Sequence, residues 1–282
     1  MKVFDTPYGA LGIDPVADAK MAAVFERGEY HQEDTVELLS ACITPESVFV
    51  DGGAHIGTIA LPLSRRAART IAYEADAHTC DILRQNVTRN GAAVDVREKG
   101  LGAEPGHGMM RSVREGNAGA HTLSVGAGGV AVVTLDDELE RFDVLKLDVE
   151  GMELDVLRGA QRIIDKARPT ILFEVNLSQL RAHGTPLRAL GSFFGVRDYR
   201  LYLPLRLGAG LVLGTVSNIS LIAVLMYPGA YLFRRTSSVF DILALSKECP
   251  APLPVVSAAR TLAYVIGENL RDKVRRARNL FV

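Results

Sequence analysis

Short runs of branched or aromatic residues alternate along this chain with turns and with longer stretches whose apolar positions recur at helical spacing. The first clear run, VFV at residues 48–50, passes through DGGAHIG into a helical pattern over 58–69. A second strand is predicted over 70–73 and a helix over 77–89, which stops at Asn90-Gly91, a common helix-ending pair. A third strand follows at 94–98. Residues 100–129 are rich in glycine and polar side chains and read as a long loop or small hairpin. Strands at 130–135 and 143–147, a helix over 153–166, a strand at 171–173 and a helix over 177–194, broken at Gly184-Thr185-Pro186, continue the series. Strands at 199–203 and 217–226 close it. Residues 17–39 ahead of the series read as helical, with a break at Glu29-Tyr30-His31.

Strands separated by helices must pair in parallel, because a crossover returns the chain to the same sheet edge. The pattern therefore predicts an α/β fold, a doubly wound sheet with helices on both faces and no internal repeat. It divides as an N-terminal helical cap over 1–47, one catalytic domain over 48–245 and a basic helical tail over 246–282. In that tail Leu262, Val265, Ile266 and Leu270 are helically spaced and lead into Arg271, Lys273, Arg275, Arg276 and Arg278. A solvated helix on the domain is the plain reading, and a peripheral membrane or partner contact is its alternative.

Residues 207–233 lack any charge, which is long enough for a membrane span. Gly208, Gly210, Gly214, Asn218, Pro228 and Gly229 argue instead for two buried strands and a glycine-rich loop, so no integral span is expected. Over 282 residues Lys+Arg number 32 against Asp+Glu 33, so no basic field invites nucleic acid. Cys42, Cys80 and Cys249 show no disulfide or metal spacing, and the first residues, MKVFDTPYGALGIDP, lack a signal-like apolar run; both fit a cytoplasmic protein. Oligomeric state is not written in this pattern.

The candidate chemistry lies at strand ends. Gly53, Ala54 and Gly57 form the turn after the first strand, where nucleotide sites usually hold phosphate against a helix N-terminus. Asp51 at its mouth would repel phosphate and attract a cation. Glu74, closing the second strand, is placed to accept hydrogen bonds from ribose hydroxyls. S-adenosylmethionine, with an ammonium and a sulfonium but no phosphate, meets both conditions. In LKLDVEGMELDVLRGA a buried strand delivers Asp148 and Glu150 to the same edge, Gly151 turns the chain, and Glu153 begins a helix whose dipole favours an acid. Two carboxylates crowded at a strand end call for cations or hydrogen-bond donors.

VFVDGGAHIGT, IAYEAD, VVTLDD, LKLDVEGMELDVLRGA and RPTILFEVN, in that order, resemble the FkbM family of S-adenosylmethionine-dependent methyltransferases. The resemblance covers residues 48–176, and more loosely the strands to 226. It implies a class I methyltransferase fold, Rossmann-like, with a seven-stranded, mostly parallel sheet, and methyl transfer to a hydroxyl oxygen. It also implies that Asp51, Gly53 and Gly57 cradle the methionine portion, that Glu74 holds the ribose, and that Gly100 and Leu101 lie near adenine. Asp148 and Glu150 would face the methyl group and the acceptor. His55 stands where the family often has asparagine.

In-line transfer to a hydroxyl needs an oriented oxygen and a base for its proton. Asp148 and Glu150 are the candidates, with Glu174 and Asn176 at the next strand end completing an oxygen-rich cluster; Mg²⁺ is an alternative use of that cluster. His31 and His121 are weaker candidates for the base, and the 100–129 stretch is the expected acceptor-facing lid. The expected acceptor is a small-molecule or glycan hydroxyl, on a sugar, lipid-linked glycan or secondary metabolite. An NAD(P)-dependent Rossmann oxidoreductase is the competing class, disfavoured by Asp51 and by the lack of Gly-x-Gly-x-x-Gly. A non-catalytic nucleotide-binding module is the third, disfavoured by intact acids at three strand ends.

Overall fold

The computed structural model describes residues 1–30, 32–112, 121–207, 210–220 and 239–265. Two compact units divide the chain, Met1–Glu174 and Val175–Val282.

The first unit opens on an antiparallel hairpin, β1 (Lys2–Thr6) and β2 (Gly9–Ile13), where the sequence had suggested only helix. Helices α1 (Ala19–Glu26) and α2 (Glu33–Cys42) follow, within the stretch read as helical. Then come β3 (Val48–Gly52), α3 (Ala60–Leu63), β4 (Arg69–Tyr73), α4 (Ala77–Arg89) and β5 (Val94–Arg97). A smaller sheet is built from β6 (Gly100–Leu101), β7 (Gly106–Ser112), β8 (His121–Val125) and β9 (Val130–Val133), in the order β6-β9-β7-β8. Helix α5 (Leu135–Glu138), β10 (Val144–Leu147), α6 (Glu153–Arg158) and α7 (Gln161–Ala167) lead to β11 (Thr170–Asn176). Strands β5, β4, β3, β10 and β11 lie side by side and every pairing is parallel. Strand β3 is thus central, and its residues Phe49 and Val50 are wholly buried, as are Ile71, Leu145 and Phe173 on its neighbours. Burying each such side chain contributes about 1.5–3 kcal/mol.

The single helix expected over 153–166 is two. Gly159 O accepts from Asp136 N at 2.8 Å instead of continuing the helical ladder. The Asp136 carboxylate then caps the new start, accepting from Arg162 N at 2.7 Å and Ile163 N at 3.0 Å. The helix expected over 58–69 shrinks to α3.

In the second unit, α8 (Leu177–Ala182) and α9 (Leu187–Gly195) are separated at Gly184, and β12 (Tyr199–Leu207), β13 (Gly210–Val216), β14 (Val239–Ser246) and β15 (Val255–Val256) pair in the order β15-β13-β12-β14. Strand β12 is antiparallel to both β13 and β14, and β13 is parallel to β15. The expected seven-stranded, mostly parallel sheet is therefore corrected to a mixed arrangement, with five parallel strands in the first unit and a largely antiparallel set in the second. The strand expected at 217–226 is corrected too: residues 219–220 are helical, and 221–226 lie outside the described residues. The uncharged stretch supplies β13, and no described helix is long and apolar enough to cross a membrane. Residues 266–282 of the basic tail, including Arg271, Lys273, Arg275, Arg276 and Arg278, lie outside the described residues.

The N-terminal segment is fastened to the first unit beside the turn that follows β3. Leu11, Ile13, Ala22 and Phe25 form one apolar cluster with Ile56, Leu61 and Ile82. Asn86 of α4 and Asn90 at its C-cap bond the open edge of β2: Asn86 accepts from Gly12 N at 2.7 Å and donates to Gly12 O and Ile56 O, each at 2.9 Å. Asn90 accepts from Ala10 N at 3.0 Å and donates to Ala10 O at 2.8 Å. Replacing Asn86 with Ala strands these buried backbone groups, at about 1–3 kcal/mol for each group left unpaired. Urea unfolding of Asn86→Ala should show a loss of that order, and an unchanged midpoint would mean that the hairpin is held by its apolar contacts alone.

Candidate functional site

The site grows from the ends of β3, β4 and β10. Register places Asp51 opposite Ala72 on one side and Lys146 on the other. Asp51 is fully buried, and neither of its carboxylate oxygens receives a hydrogen bond among the described residues. Its pKa is pushed up to about 6, because burial outweighs the pull of Lys146 and because Asp148 and Glu74 add repulsion.

The turn that follows is set by two glycines. At Gly53 (φ +77) a side chain would come within 1.9 Å of Asp148 O, and at Gly57 (φ +95) it would meet Leu83 and Leu61 at 2.8 and 2.9 Å. Gly53 N and Ala54 N both donate to Tyr73 O at 3.0 Å. Ala54 is buried, in a cluster with Ala60, Ala72 and Leu83. Glu74, at the end of β4, is buried and accepts from His55 N at 2.8 Å and Asp76 N at 2.9 Å, one bond on each oxygen. Burial raises its pKa. Each oxygen keeps a further lone pair for another donor. Gly100 and Leu101, in β6, are buried; Leu101 packs against the Gly52 backbone at the end of β3.

The acidic turn lies against this one. Asp148 N donates to Gly52 O at 3.0 Å, and Asp148 Oδ2 stands 3.4 Å from Lys146 Nζ and 3.5 Å from Gln32 Nε2. Glu150 holds a left-handed backbone (φ +51), and its carbonyl accepts from Thr122 Oγ1 of β8 at 3.4 Å. Carboxylate oxygens of Asp148, Glu150 and Glu174 lie within 4.8 Å of one another, all partly exposed. The three sequence-predicted acids are thus brought together, and the Asn176 side chain accepts from Gln179 N at 3.4 Å and Ser178 Oγ at 2.8 Å as the cap of α8. His121 stands beside Asp76, 3.5 Å away. His31 lies outside the described residues.

Several side chains here escaped the sequence reading. Lys146 left one signal, a lone charge inside the apolar run VLKL, and it is 5% exposed. Its Nζ lies 3.4 Å from Asp51 Oδ1 and donates to Gly53 O at 3.2 Å. Glu153 is no solvated helix-start acid. It is fully buried, and its Oε1 accepts from Gly151 N at 3.1 Å and Val149 N at 3.3 Å, which ties the acidic turn to α6. Asp18, Tyr30 and Gln32 left no local signal. Asp18 Oδ2 stands 3.2 Å from His55 Nε2, Tyr30 OH donates to Thr58 O at 2.6 Å, and Gln32 Oε1 accepts from Thr58 Oγ1 at 3.2 Å.

Comparison with known proteins places these features in a family. The methyltransferase FkbM domain matches residues 51–201, more than half of the chain. The chain belongs to the FkbM methyltransferase family. A curated relative, the hexuronic acid methyltransferase AglP of Haloferax volcanii, is 31% identical over 139 residues, covering 47% of this chain and 56% of that protein. This chain therefore spans about half the length of the curated relative it matches. Among solved structures, the FkbM methyltransferase of Methylobacillus flagellatus KT is 21% identical over 57% of this chain and 40% of its own, with a TM-score of 0.42. Precorrin-6y C5,15-methyltransferase of Geobacter metallireducens is 16% identical over 86% of this chain and 98% of its own, with a TM-score of 0.43. Asp51, Glu74, Asp148, Glu150, Glu153 and Glu174 lie within the FkbM match, whereas Asp18, Tyr30 and Gln32 precede it.

Glu153 gives the FkbM site a measurable pH signature. Burial raises its pKa from 4.5 to about 7, against the pull of the turn's N–H groups. The folded protein therefore binds more protons than the unfolded chain between those values, and stability falls as pH rises through that window. Glu153→Gln keeps an accepting oxygen but removes the ionisation, so it should flatten the decline and gain on the order of 1–3 kcal/mol at pH 8. Denaturant melts of the two proteins across pH 4.5–8 check this; parallel curves would show that Glu153 ionises without cost.

Proposed function

We propose that the first unit binds S-adenosylmethionine and that the chain transfers its methyl group to a hydroxyl oxygen of a sugar or glycan. The observation that carries the reading is the pair of buried acids beside the glycine turn. Asp51 has oxygens that receive no close hydrogen bond among the described residues, with Lys146 Nζ 3.4 Å away, which suits an ammonium group, and Glu74 retains lone pairs for two vicinal hydroxyls. A diphosphate would meet Asp51, Glu74 and Asp148 as repulsion. Gly100 and Leu101 are the residues assigned to the adenine side.

The bound sulfonium supplies an already activated methyl group, so the chain's residues have to position the acceptor and handle one proton. Asp148 is assigned as general base and Glu150 as the acid that orients the acceptor hydroxyl, with Glu174 beside them. Holding the oxygen in line accounts for about 7–11 kcal/mol of barrier lowering in well-oriented systems. The hexuronic acid acted on by the Haloferax volcanii relative supports a sugar as the acceptor class. Cys42, Cys80 and Cys249 are thiols rather than disulfides, which fits the cytoplasm as compartment.

Calorimetry with S-adenosylhomocysteine should give binding that Asp51→Ala and Glu74→Ala each weaken at least about tenfold, the loss of a charged hydrogen-bond partner. NAD should not bind. Unchanged titrations for both variants would remove the cofactor assignment. Against a panel of hexuronic acids and their glycosides, with a labelled methyl donor, Asp148→Asn should lower the rate by about 10²–10⁴ while keeping S-adenosylhomocysteine affinity. Wild-type turnover by that variant would mean that another group takes the proton.

A further inference from the structure

Strand β10 reads VLKL, and all four residues are buried. A lysine in such a strand loses its hydration unless acids replace it. Register sets Lys146 opposite Asp51, and Asp148 lies two residues further along, so the three side chains share one face at the strand ends. Lys146 Nζ lies 3.4 Å from Asp51 Oδ1, 3.4 Å from Asp148 Oδ2 and 3.2 Å from Gly53 O. Charge-assisted bonds of this kind usually close to about 2.7–2.9 Å. Lys146 is therefore seated fully on neither acid and stands between them.

We propose that Lys146 is a positioning residue that keeps Asp51 ionised for the cofactor's ammonium and moves onto Asp148 when that ammonium arrives, coupling the cofactor site to the acceptor-side acid. The proposal rests on the S-adenosylmethionine reading above. The charged groups that face Asp51 are Lys146 from β10, Asp148 from the turn after it and Glu74 from β4, two acids against one cation. Asp51 titrates near 6 even with the lysine in place. Without it, burial and two carboxylates act unopposed, and Asp51 would be protonated at neutral pH.

The sign of the effect follows. Binding of an ammonium needs ionised Asp51, so affinity for S-adenosylhomocysteine should fall as pH drops through about 6 in the parent protein. In Lys146→Met the same fall should come about two units higher, with a loss of about tenfold at pH 7 that shrinks by pH 8.5. On an Asp51→Asn background, Lys146→Met should have little further effect, because its partner's charge is gone. Calorimetry from pH 5 to 8.5 reads these profiles, with thermal melts confirming that each variant folds. Identical pH profiles for the parent and Lys146→Met overturn the proposal, as does an undiminished effect in the Asp51→Asn background. Should Lys146→Met not fold, the parent alone decides: titrations in two buffers of different ionisation enthalpy should show proton release on binding near pH 6 and almost none at pH 8, and no release near pH 6 overturns the proposal. A parent that binds no S-adenosylhomocysteine at any pH overturns the cofactor reading itself, which separates the two failures.

Discussion

Four carboxylates, Asp18, Asp51, Glu74 and Glu153, are buried among the described residues of the first unit, and the way the last three are answered shapes the site. Burying an ionised acid is costly, and the cost is met only by directed donors or an opposite charge. Glu74 takes backbone N–H groups from His55 and Asp76, which locks the glycine turn to the end of β4. Glu153 takes those of Gly151 and Val149, which folds the acidic turn back onto α6. Asp51 takes no N–H, and faces Lys146 across the strand pair. The same contacts that offset charge therefore fix three loops in space. Glu74 and Glu153 have backbone partners of their own, whereas the Asp51 oxygens receive no hydrogen bond among the described residues.

Proximity of the two turns comes from strand order. Residues 51 and 148 are far apart in the chain, yet β3 and β10 are direct neighbours in a parallel arrangement, so their carboxyl ends coincide. Ligands of open α/β sheets sit at those ends, where loops diverge from the sheet. Gly53 is what allows the turns to close on each other, since any side chain there would strike the Asp148 carbonyl. The N-terminal hairpin and helices add a second constraint from outside the family domain. Asn86 and Asn90 fix β2 to α4, and Asp18, Tyr30 and Gln32 then reach the turn at His55 and Thr58. Gln32 adopts a left-handed backbone (φ +68) to do so, a conformation that costs free energy in a residue with a side chain.

Local chemistry was what the sequence made legible. Helix α4 begins and ends where apolar spacing and Asn90-Gly91 place it, and Asp51, Glu74, Asp148 and Glu150 fall at strand ends as their motifs require. Long-range partners were not legible. The break between α6 and α7 depends on Asp136, which intercepts Gly159 O and caps the next helix, and nothing within residues 153–166 announces that visitor. Glu153 looked like a dipole-favoured helix acid because its position fits that role, and only packing shows that it faces inward. Gln32 meets Asp148 across 116 residues of sequence, a contact that no local pattern encodes. Lys146 was readable in principle, as a charge in a strand too apolar to hold one unpaired.

The chemistry assigned here also constrains how an acceptor would approach. Asp148, Glu150 and Glu174 bring carboxylate oxygens within 4.8 Å of one another. A sugar hydroxyl is a donor as well as a nucleophile, so it can bond to such a cluster with one lone pair directed at the methyl group. A uronic acid carries its own carboxylate, which the same three acids repel. An acceptor of that kind would have to present a hydroxyl to the acids and turn its carboxylate away from them, which limits the ring faces and positions open to methylation. The acids would then act twice, taking a proton from the attacking oxygen and choosing among hydroxyls by charge before any pocket wall makes contact.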